Sequence, residues 1–152
     1  MTQPRIAIAE TTDDVRRCFA VMHELRTHIN NEAEFVARVT RQQKQAYLLA
    51  FLEADGEVRA VAGYRYLDTL FSGKNLYVDD LVTRAVDRSR GFGAQLIDWL
   101  VEQARAHDCE TLELDSGVQR FDAHRFYFLK RMTISSYHFR VNVRESGRVA
   151  PK

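Results

Sequence analysis

Between Ala46 and Thr83 the chain offers three strand-like runs in immediate succession. "AYLLAFLEA" and "EVRAVAGYRYLD" are dense in aliphatic, aromatic and β-branched residues, and Asp55-Gly56 between them is a strong hairpin signal. After a "FSGKN" loop, "LYVDDLVT" reads as the third strand. Strands joined this tightly pair antiparallel, and their apolar faces need helices or a second sheet to cover them.

The cover is written on both sides of the meander. Upstream, Ile6 and Ile8 mark a short first strand, and Thr11-x-x-Asp14 resembles a capping box with Asp in place of the usual Glu. Val15, Cys18, Phe19, Met22, Leu25 and Ile29 then repeat at helical spacing, and a more polar helix is predicted from about Glu32 to Lys44, burying Phe35, Val36 and Val39. Downstream, Leu96, Ile97, Leu100, Val101 and Ala104 form one helical stripe ending near His107-Asp108. "TLELD" is a short strand, "DAHRFYFLKRM" a short helix, and "TISSYHFRVNV" one or two closing strands. The expected fold is a single α/β domain over residues 1–152: a mixed, mostly antiparallel central sheet flanked by helices, in the order β-α-α-β-β-β-α-β-α-β with a further closing strand allowed. Residues 144–152 read as a flexible tail.

Composition narrows the function. The 152 residues carry 22 Lys+Arg against 21 Asp+Glu, so no global field steers the chain to nucleic acid or an acidic membrane, and any positive site is local. The longest apolar run, "AYLLAFL", is too short to span a bilayer, and "MTQPRIAIAE" lacks the apolar stretch of a signal peptide. Cys18 and Cys109 show no metal or framework spacing, and the histidines no metal-ligand pattern, so reduced thiols, a cytoplasmic setting and no metal are expected. Cys18, on an apolar stripe, reads as packing.

One local concentration of positive charge does exist. "DRSRGFGAQL" sets Arg88 and Arg90 against Gly91 and Gly93 just ahead of a helix, an arrangement whose bare amides and helix dipole attract phosphate. A dinucleotide fingerprint would need glycine where Leu96 stands, and a P-loop would need Lys-Ser/Thr where Ala94-Gln95 stands. Both fail. The spacing Arg88-x-x-Gly91-x-Gly93 does resemble the Gln/Arg-x-x-Gly-x-Gly/Ala signature of the GNAT superfamily of acyl-CoA-dependent N-acyltransferases. "YVDDLVTRAVDRSRGFG" is similar throughout to that family's strand-loop-helix segment, "AHRFY" to its later helix, and the element order from Ile6 to Val143 is the family's order. Arg131-Met132 stand where the family usually has Gly-Phe; glycine there would end the helix in a left-handed cap, so this helix is expected to end differently.

The resemblance implies acetyl-CoA as cosubstrate. Its pyrophosphate would be capped by amides of Arg88, Ser89, Arg90, Gly91, Phe92, Gly93 and Ala94, with side-chain charge from Arg88, Arg90 and Arg84. Its pantetheine arm would lie along the backbone of Leu81, Val82 and Thr83. Acyl transfer to an amine needs a polarised carbonyl, a neutral amine and a proton for the departing thiolate. Strand amides near Leu81, freed by a bulge, are the expected carbonyl donors. Tyr127 matches the family tyrosine near the coenzyme sulfur; a core tyrosine beside Phe126 and Phe128 is its alternative reading. Asp79 and Asp80, adjacent on one strand, are expected to point to opposite faces, one of them into a polar cleft. Resemblance to polyamine acetyltransferases favours Asp79 as base, leaving Asp80 to a backbone group or a structural arginine; a water chain is the other route for the proton. The expected acceptor is a small molecule with a primary amine. A protein lysine or N-terminal amine, or a non-catalytic acyl-CoA sensor, are the alternatives, and a second copy of the chain stands among the candidate partners.

Overall fold

The computed structural model describes residues 2–144, which fall in two compact units, Met1–Leu114 and Asp115–Lys152. The first unit contains β1 (Arg5–Ile8), α1 (Thr12–Leu25), α2 (Glu32–Gln43), β2 (Leu48–Ala54), β3 (Glu57–Thr69), β4 (Gly73–Thr83), α3 (Phe92–Ala106) and β5 (Thr111–Leu114). The sheet runs β1-β2-β3-β4-β5 in sequence order. Its ladders are antiparallel except for β4 with β5, the one pair joined through a crossover helix, α3. Between β4 and α3 the chain makes a single 3-10 turn, Ala85–Asp87.

Local chemistry sets these boundaries. α1 opens on the full capping box: the Thr11 hydroxyl accepts from the Asp14 amide, and the Asp14 carboxylate accepts from the Thr11 amide. The exchange pulls the Asp14 carboxyl below its usual value, the Thr11 amide contributing most. Asn31 caps α2 in the same way, accepting from the Glu34 amide. At the β2–β3 hairpin, Asp55 and Gly56 both take positive φ, 54° and 77°, as a tight primed turn requires. α1 stops at Leu25, short of the end of its apolar stripe. Ile29 still reaches the core because its amide donates to the Arg26 carbonyl, turning the chain back.

The two sheet faces are covered by different helices. Val15, Cys18, Met22, Phe35 and Val39 of α1 and α2 pack with Leu49, Phe51, Val61 and Val82 of the sheet. Residues of opposite parity, such as Leu52 and Tyr64, face the other way, where α3 buries Leu96, Ile97 and Leu100 and sets Trp99 edge-on to Tyr64. Cys18 is fully buried and its thiol is pushed up to about 12 by that burial, so it is a packing group with no thiolate at neutral pH. No helix among the described residues is long and apolar enough to cross a membrane.

The second unit contains α4 (Phe121–Leu129), and two expectations change there. The closing strand does not form: from Thr133 to Arg144 the described chain is neither helix nor strand. A strand exists only by pairing, and this segment pairs with none. The tail expected over residues 144–152 lies, apart from Arg144, outside the described residues. The helix cap is the other correction. Arg131 adopts the left-handed conformation itself, φ 62°, with its amide donating to Phe128 and the Met132 amide to Tyr127. That is the bond pattern of a Schellman cap, made without glycine.

An arginine in that conformation carries a steric cost of roughly 1–2 kcal/mol that glycine does not. Glycine returns part of it through the extra freedom of the unfolded chain. Arg131→Gly should therefore raise stability by about 0.5–1 kcal/mol, measured as a shift in the urea midpoint at unchanged slope.

Candidate active site

At the centre of the sheet β4 carries one residue more than its partner. Gly63 pairs with Asp80 and Tyr64 with Val78, which leaves Asp79 as the extra residue of a β-bulge. The expectation that the two acids face opposite sides fails for this reason: the bulge resets the alternation, and both carboxylates are met from the α1–α2 side. Asp79 Oδ2 accepts from Arg65 Nε at 2.9 Å, and Arg65 also reaches the Gln42 side chain of α2. Asp80 Oδ1 accepts from Arg26 Nε at 2.7 Å, and its Oδ2 from the Tyr47 hydroxyl at 2.8 Å. Arg26, the residue that ends α1, also donates through Nη2 to the Asp79 carbonyl.

Tyr47 is buried, and burial foremost, then the Asp80 charge, pushes its phenol well above the ordinary tyrosine value. It stays protonated and serves Asp80 as a donor. Gly63 makes room for this pair, since a Cβ there would lie 1.7 Å from the Tyr47 oxygen and 2.6 Å from Asp80 Oδ2. Asp80 thus has hydrogen bonds on both oxygens, one from an arginine.

The same strand changes neighbours at the bulge. β5 pairs with Asn75 to Val78 and stops, the last pair being Val78 with Leu114. From Asp79 through Leu81, Val82 and Thr83, β4 pairs with β3 alone among the described residues, none of which forms a strand beside its other edge. Backbone donors and acceptors along that edge are placed to meet an extended ligand, as a strand edge meets a peptide.

Beyond β4 the loop narrows to α3. Ser89 and Gly91 take positive φ, 66° and 84°, and Gly91 is the N-cap of α3 with open space where a Cβ would be. Unlike α1 and α2, α3 has no side-chain cap and no acid in its first turn. Among the described residues no acceptor meets the amides of Phe92, Gly93 and Ala94; the first intrahelical bond is Gln95 to the Gly91 carbonyl. By contrast, the amides of Arg88 and Arg90 donate back to the Ala85 and Asp87 carbonyls. Of the seven amides that the sequence reading assigned, those of Arg88 and Arg90 are thus engaged within the loop, whereas those of Ser89 and Gly91, like the first three of α3, meet no backbone acceptor among the described residues.

The arginines divide similarly. Asp87, only 2% exposed, is bonded by Arg84 Nε, by Arg90 Nη1 at 2.7 Å and, more loosely, by Arg59 Nη1 at 3.4 Å. Arg90 also lies over the Phe92 ring. Arg84 and Arg90, expected on phosphate, thus hold the loop together through Asp87. Arg88 is exposed and stands outside that cluster.

In the second unit Tyr127 is half-buried on α4. Burial raises its phenol above the ordinary tyrosine value, with Arg120 acting weakly the other way. His124 is tied to the Gly117 carbonyl at 2.8 Å, a structural contact. Arg26, Tyr47, Gly63, Arg65 and Asp87 had no part in the sequence reading of the site; each matters through a partner that only the tertiary fold supplies.

Residues 8–132 match the acetyltransferase (GNAT) family. The chain belongs to that family. Over 123 residues, 80% of this chain and 87% of the relative, it is 38% identical to the uncharacterized N-acetyltransferase YhdJ of Bacillus subtilis (strain 168). It is also 38% identical to the aminoalkylphosphonate N-acetyltransferase of Salmonella typhimurium (strain LT2), over 62 residues that make up 41% of this chain and 40% of that one. In fold it is similar to a transcriptional regulator from Bacillus halodurans C-125, with a TM-score of 0.80 at 20% identity over 92% of this chain and 99% of that structure. This GNAT chain is accordingly an N-acetyltransferase, of a family that draws its acetyl group from acetyl-CoA.

The Asp87 cluster has a pH signature. Hydrogen bonding from Arg84, the largest cause, holds the Asp87 carboxyl below its usual value. A carboxyl depressed in the folded state contributes stability that is present above its unfolded pKa, about 3.9, and is lost as pH falls through the lower folded value. Asp87→Asn should cost roughly 2 kcal/mol at pH 7. That is below the 3–5 kcal/mol typical of breaking a buried pair, because the arginines are partly exposed. Urea titrations at pH 7 and pH 3 should show the difference from wild type shrinking at the acid end.

Proposed function

We propose that the chain acetylates a primary amine on a small molecule, by direct attack of that amine on acetyl-CoA within a ternary complex. The observation that carries the proposal is the continuity of β4: among the described residues, an edge without a strand beside it from Asp79 to Thr83, running into a helix N-terminus whose first amides meet no acceptor. That sequence of groups suits an extended amide-bearing arm followed by a pyrophosphate. The residues fit the cosubstrate: Leu81, Val82 and Thr83 would bind the pantetheine, the amides of Phe92, Gly93 and Ala94 the pyrophosphate, and Arg88 would add charge from solvent.

In the chemical step the neutral amine nitrogen attacks the thioester carbon, the carbon–sulfur bond breaks, and the sulfur leaves as thiolate. A backbone amide at the bulge, next to Leu81, would donate to the carbonyl oxygen as charge collects there. Tyr127 would give the thiolate its proton and recover one from solvent; the match of "AHRFY" to the family helix supports this role. So does its phenol, which burial keeps protonated. Of the two acids, Asp80 has both oxygens occupied and acts as an anchor. Asp79, directly or through water, would take the proton the amine loses. A small acceptor is favoured by the name of the Salmonella relative, an aminoalkylphosphonate N-acetyltransferase. An amine panel with acetyl-CoA, read by free thiol, tests it: turnover of aminoalkylphosphonates or other small amines supports the reading, and turnover of lysine peptides alone overturns it.

Coenzyme binding is tested without turnover. At about one hundred times Kd, coenzyme A should stabilise the protein by roughly 2.7 kcal/mol, seen as a rise in Tm. Asn and Asp both tolerate positive φ better than other side chains, and position 91 has room for either. Gly91→Asn should keep most of the shift and Gly91→Asp should abolish it through charge. A folded Gly91→Asp protein with the wild-type shift would remove the phosphate from this loop.

Tyr127→Phe keeps the ring and deletes the hydroxyl. On the proton-donor reading, coenzyme affinity stays near wild type while kcat drops by roughly 10²–10⁴-fold. A Phe variant that turns over at more than about half the wild-type rate returns Tyr127 to a packing role.

A further inference from the structure

The turn that leads from β4 into the loop before α3 is held from outside. Ala85 opens the 3-10 turn Ala85–Asp87, so its amide has no acceptor within the turn, and Arg84 at the N-cap makes no side-chain cap. Packing adds little, since Val86, the turn's large apolar side chain, is 79% exposed. The Ala85 amide instead donates to Glu24 Oε2 at 2.7 Å, an acid of α1 61 positions earlier. Among the described residues this bond ties the turn to the helical layer. The Arg84 amide, donating to the Arg59 carbonyl at 2.8 Å, and the Arg59 contact with Asp87 tie it to β3.

Glu24 does not stand there for its charge. It is exposed and makes no ion pair among the described residues. It also meets the chain at the entrance of a segment proposed to bind a polyanion, where a negative charge works against the ligand. An acceptor in that place is explained by the direction it gives the backbone. Two residues further on, Arg26 bonds the Asp79 carbonyl at 2.9 Å and the Asp80 carboxylate at 2.7 Å. The end of α1 thus grips β4 and its turn at two points, with Leu81, Val82 and Thr83 between them. We infer that Glu24 is a positioning residue of the coenzyme site. By fixing Ala85 it sets the path of the loop to Gly91 and keeps the first amides of α3 in line with the β4 edge. The inference rests on the coenzyme reading above and adds to it a residue that acts through the backbone. Holding the loop in its binding form raises affinity by cutting the ordering cost.

The test is calorimetric titration with coenzyme A of the wild type, Glu24→Ala, Glu24→Lys and Glu24→Gln, beside the urea midpoint of each. Ala and Lys both delete the acceptor. Both should weaken coenzyme A roughly three- to tenfold, the worth of about one hydrogen bond, at a midpoint close to wild type. Gln keeps an oxygen acceptor without the charge and should bind within about twofold of the wild type. Charge alone predicts the reverse order, Lys tightest and the wild type weakest, and that order overturns the inference. So do Ala and Lys variants that bind as the wild type does, a Gln variant as weak as Ala, or a loss of affinity that comes only with a fallen midpoint. If the Ala and Lys variants do not fold, exchange of the Ala85 amide in the wild type decides: protection of roughly tenfold or more supports the bond, and free exchange overturns it. A wild type that does not bind coenzyme A removes the coenzyme reading and this inference with it. Binding that is lost in Gly91→Asp but intact in Glu24→Ala removes the inference alone.

Discussion

A single extra residue in β4 organises the catalytic half of the molecule. Without the bulge at Asp79, the carboxylates of Asp79 and Asp80 would leave the sheet on opposite sides, one of them into the face that α3 covers with Leu96, Ile97 and Leu100. Burying an unpaired carboxylate there would cost far more than any single contact returns. With the bulge, both acids meet arginines on the α1–α2 side, and Asp80 also receives the hydroxyl of a tyrosine that could not be buried without a partner. The pairing works in both directions. Arg26 ends α1 and holds the bulge carbonyl, Tyr47 leads into β2, and Gly63 on β3 supplies the space for their meeting. Helix end, strand start and bulge are thus fixed by one another.

The loop before α3 shows a second division of labour, between charges that shape it and a charge left to solvent. A loop with Arg84, Arg88 and Arg90 would repel itself if all three pointed to solvent. Asp87 resolves this by drawing Arg84, Arg90 and also Arg59 inward, so only Arg88 is left outside the cluster. On the proposed reading, recognition would rest mainly on backbone amides and the α3 dipole, which are fixed in direction and lose no side-chain entropy on binding. The uncapped first turn of α3 is the counterpart of this choice. α1 and α2 satisfy amides at their starts with Thr11, Asp14 and Asn31, whereas α3 has no side-chain cap.

What the sequence made legible was local. The β2–β3 hairpin at Asp55-Gly56, the capping box at Thr11, the helical stripes and the loop from Arg88 to Gly93 each depend on residues a few positions apart, and their physics is complete within that window. A bulge near Leu81 was expected from the chemistry, but its residue was not legible, because register is set by the pairing of whole strands and nothing in "YVDDLVT" announces which residue will be left over. Arg26 and Asp80 are 54 residues apart, and Arg59 and Asp87 28, so neither pair has a sequence signature. Charge alternation in "RAVDRSR" was a usable hint that Asp87 would gather its neighbours. The run "TISSYHFRVNV" was read as one or two closing strands, and none forms among the described residues, because a strand-like run alone does not provide a partner.

On the proposed reading, the bulge would also let one short segment face two substrates without competition. In a strand the side chains stand perpendicular to the sheet, while the backbone donors and acceptors point sideways, within its plane. From Asp79 to Thr83 the carboxylates of Asp79 and Asp80 are directed to the α1–α2 face, whereas no strand of the described residues lies along the backbone edge opposite β3, because β5 has ended at Leu114. An amine approaching from the helical face and a thioester arm lying along the edge would therefore meet at the same residues from perpendicular directions. Had β5 run four residues further, the edge would have been closed by hydrogen bonds. Had β4 been regular, one of the acids would have faced the wrong side. The short β5 and the bulge are thus two parts of one requirement, and the proposed chemistry needs both.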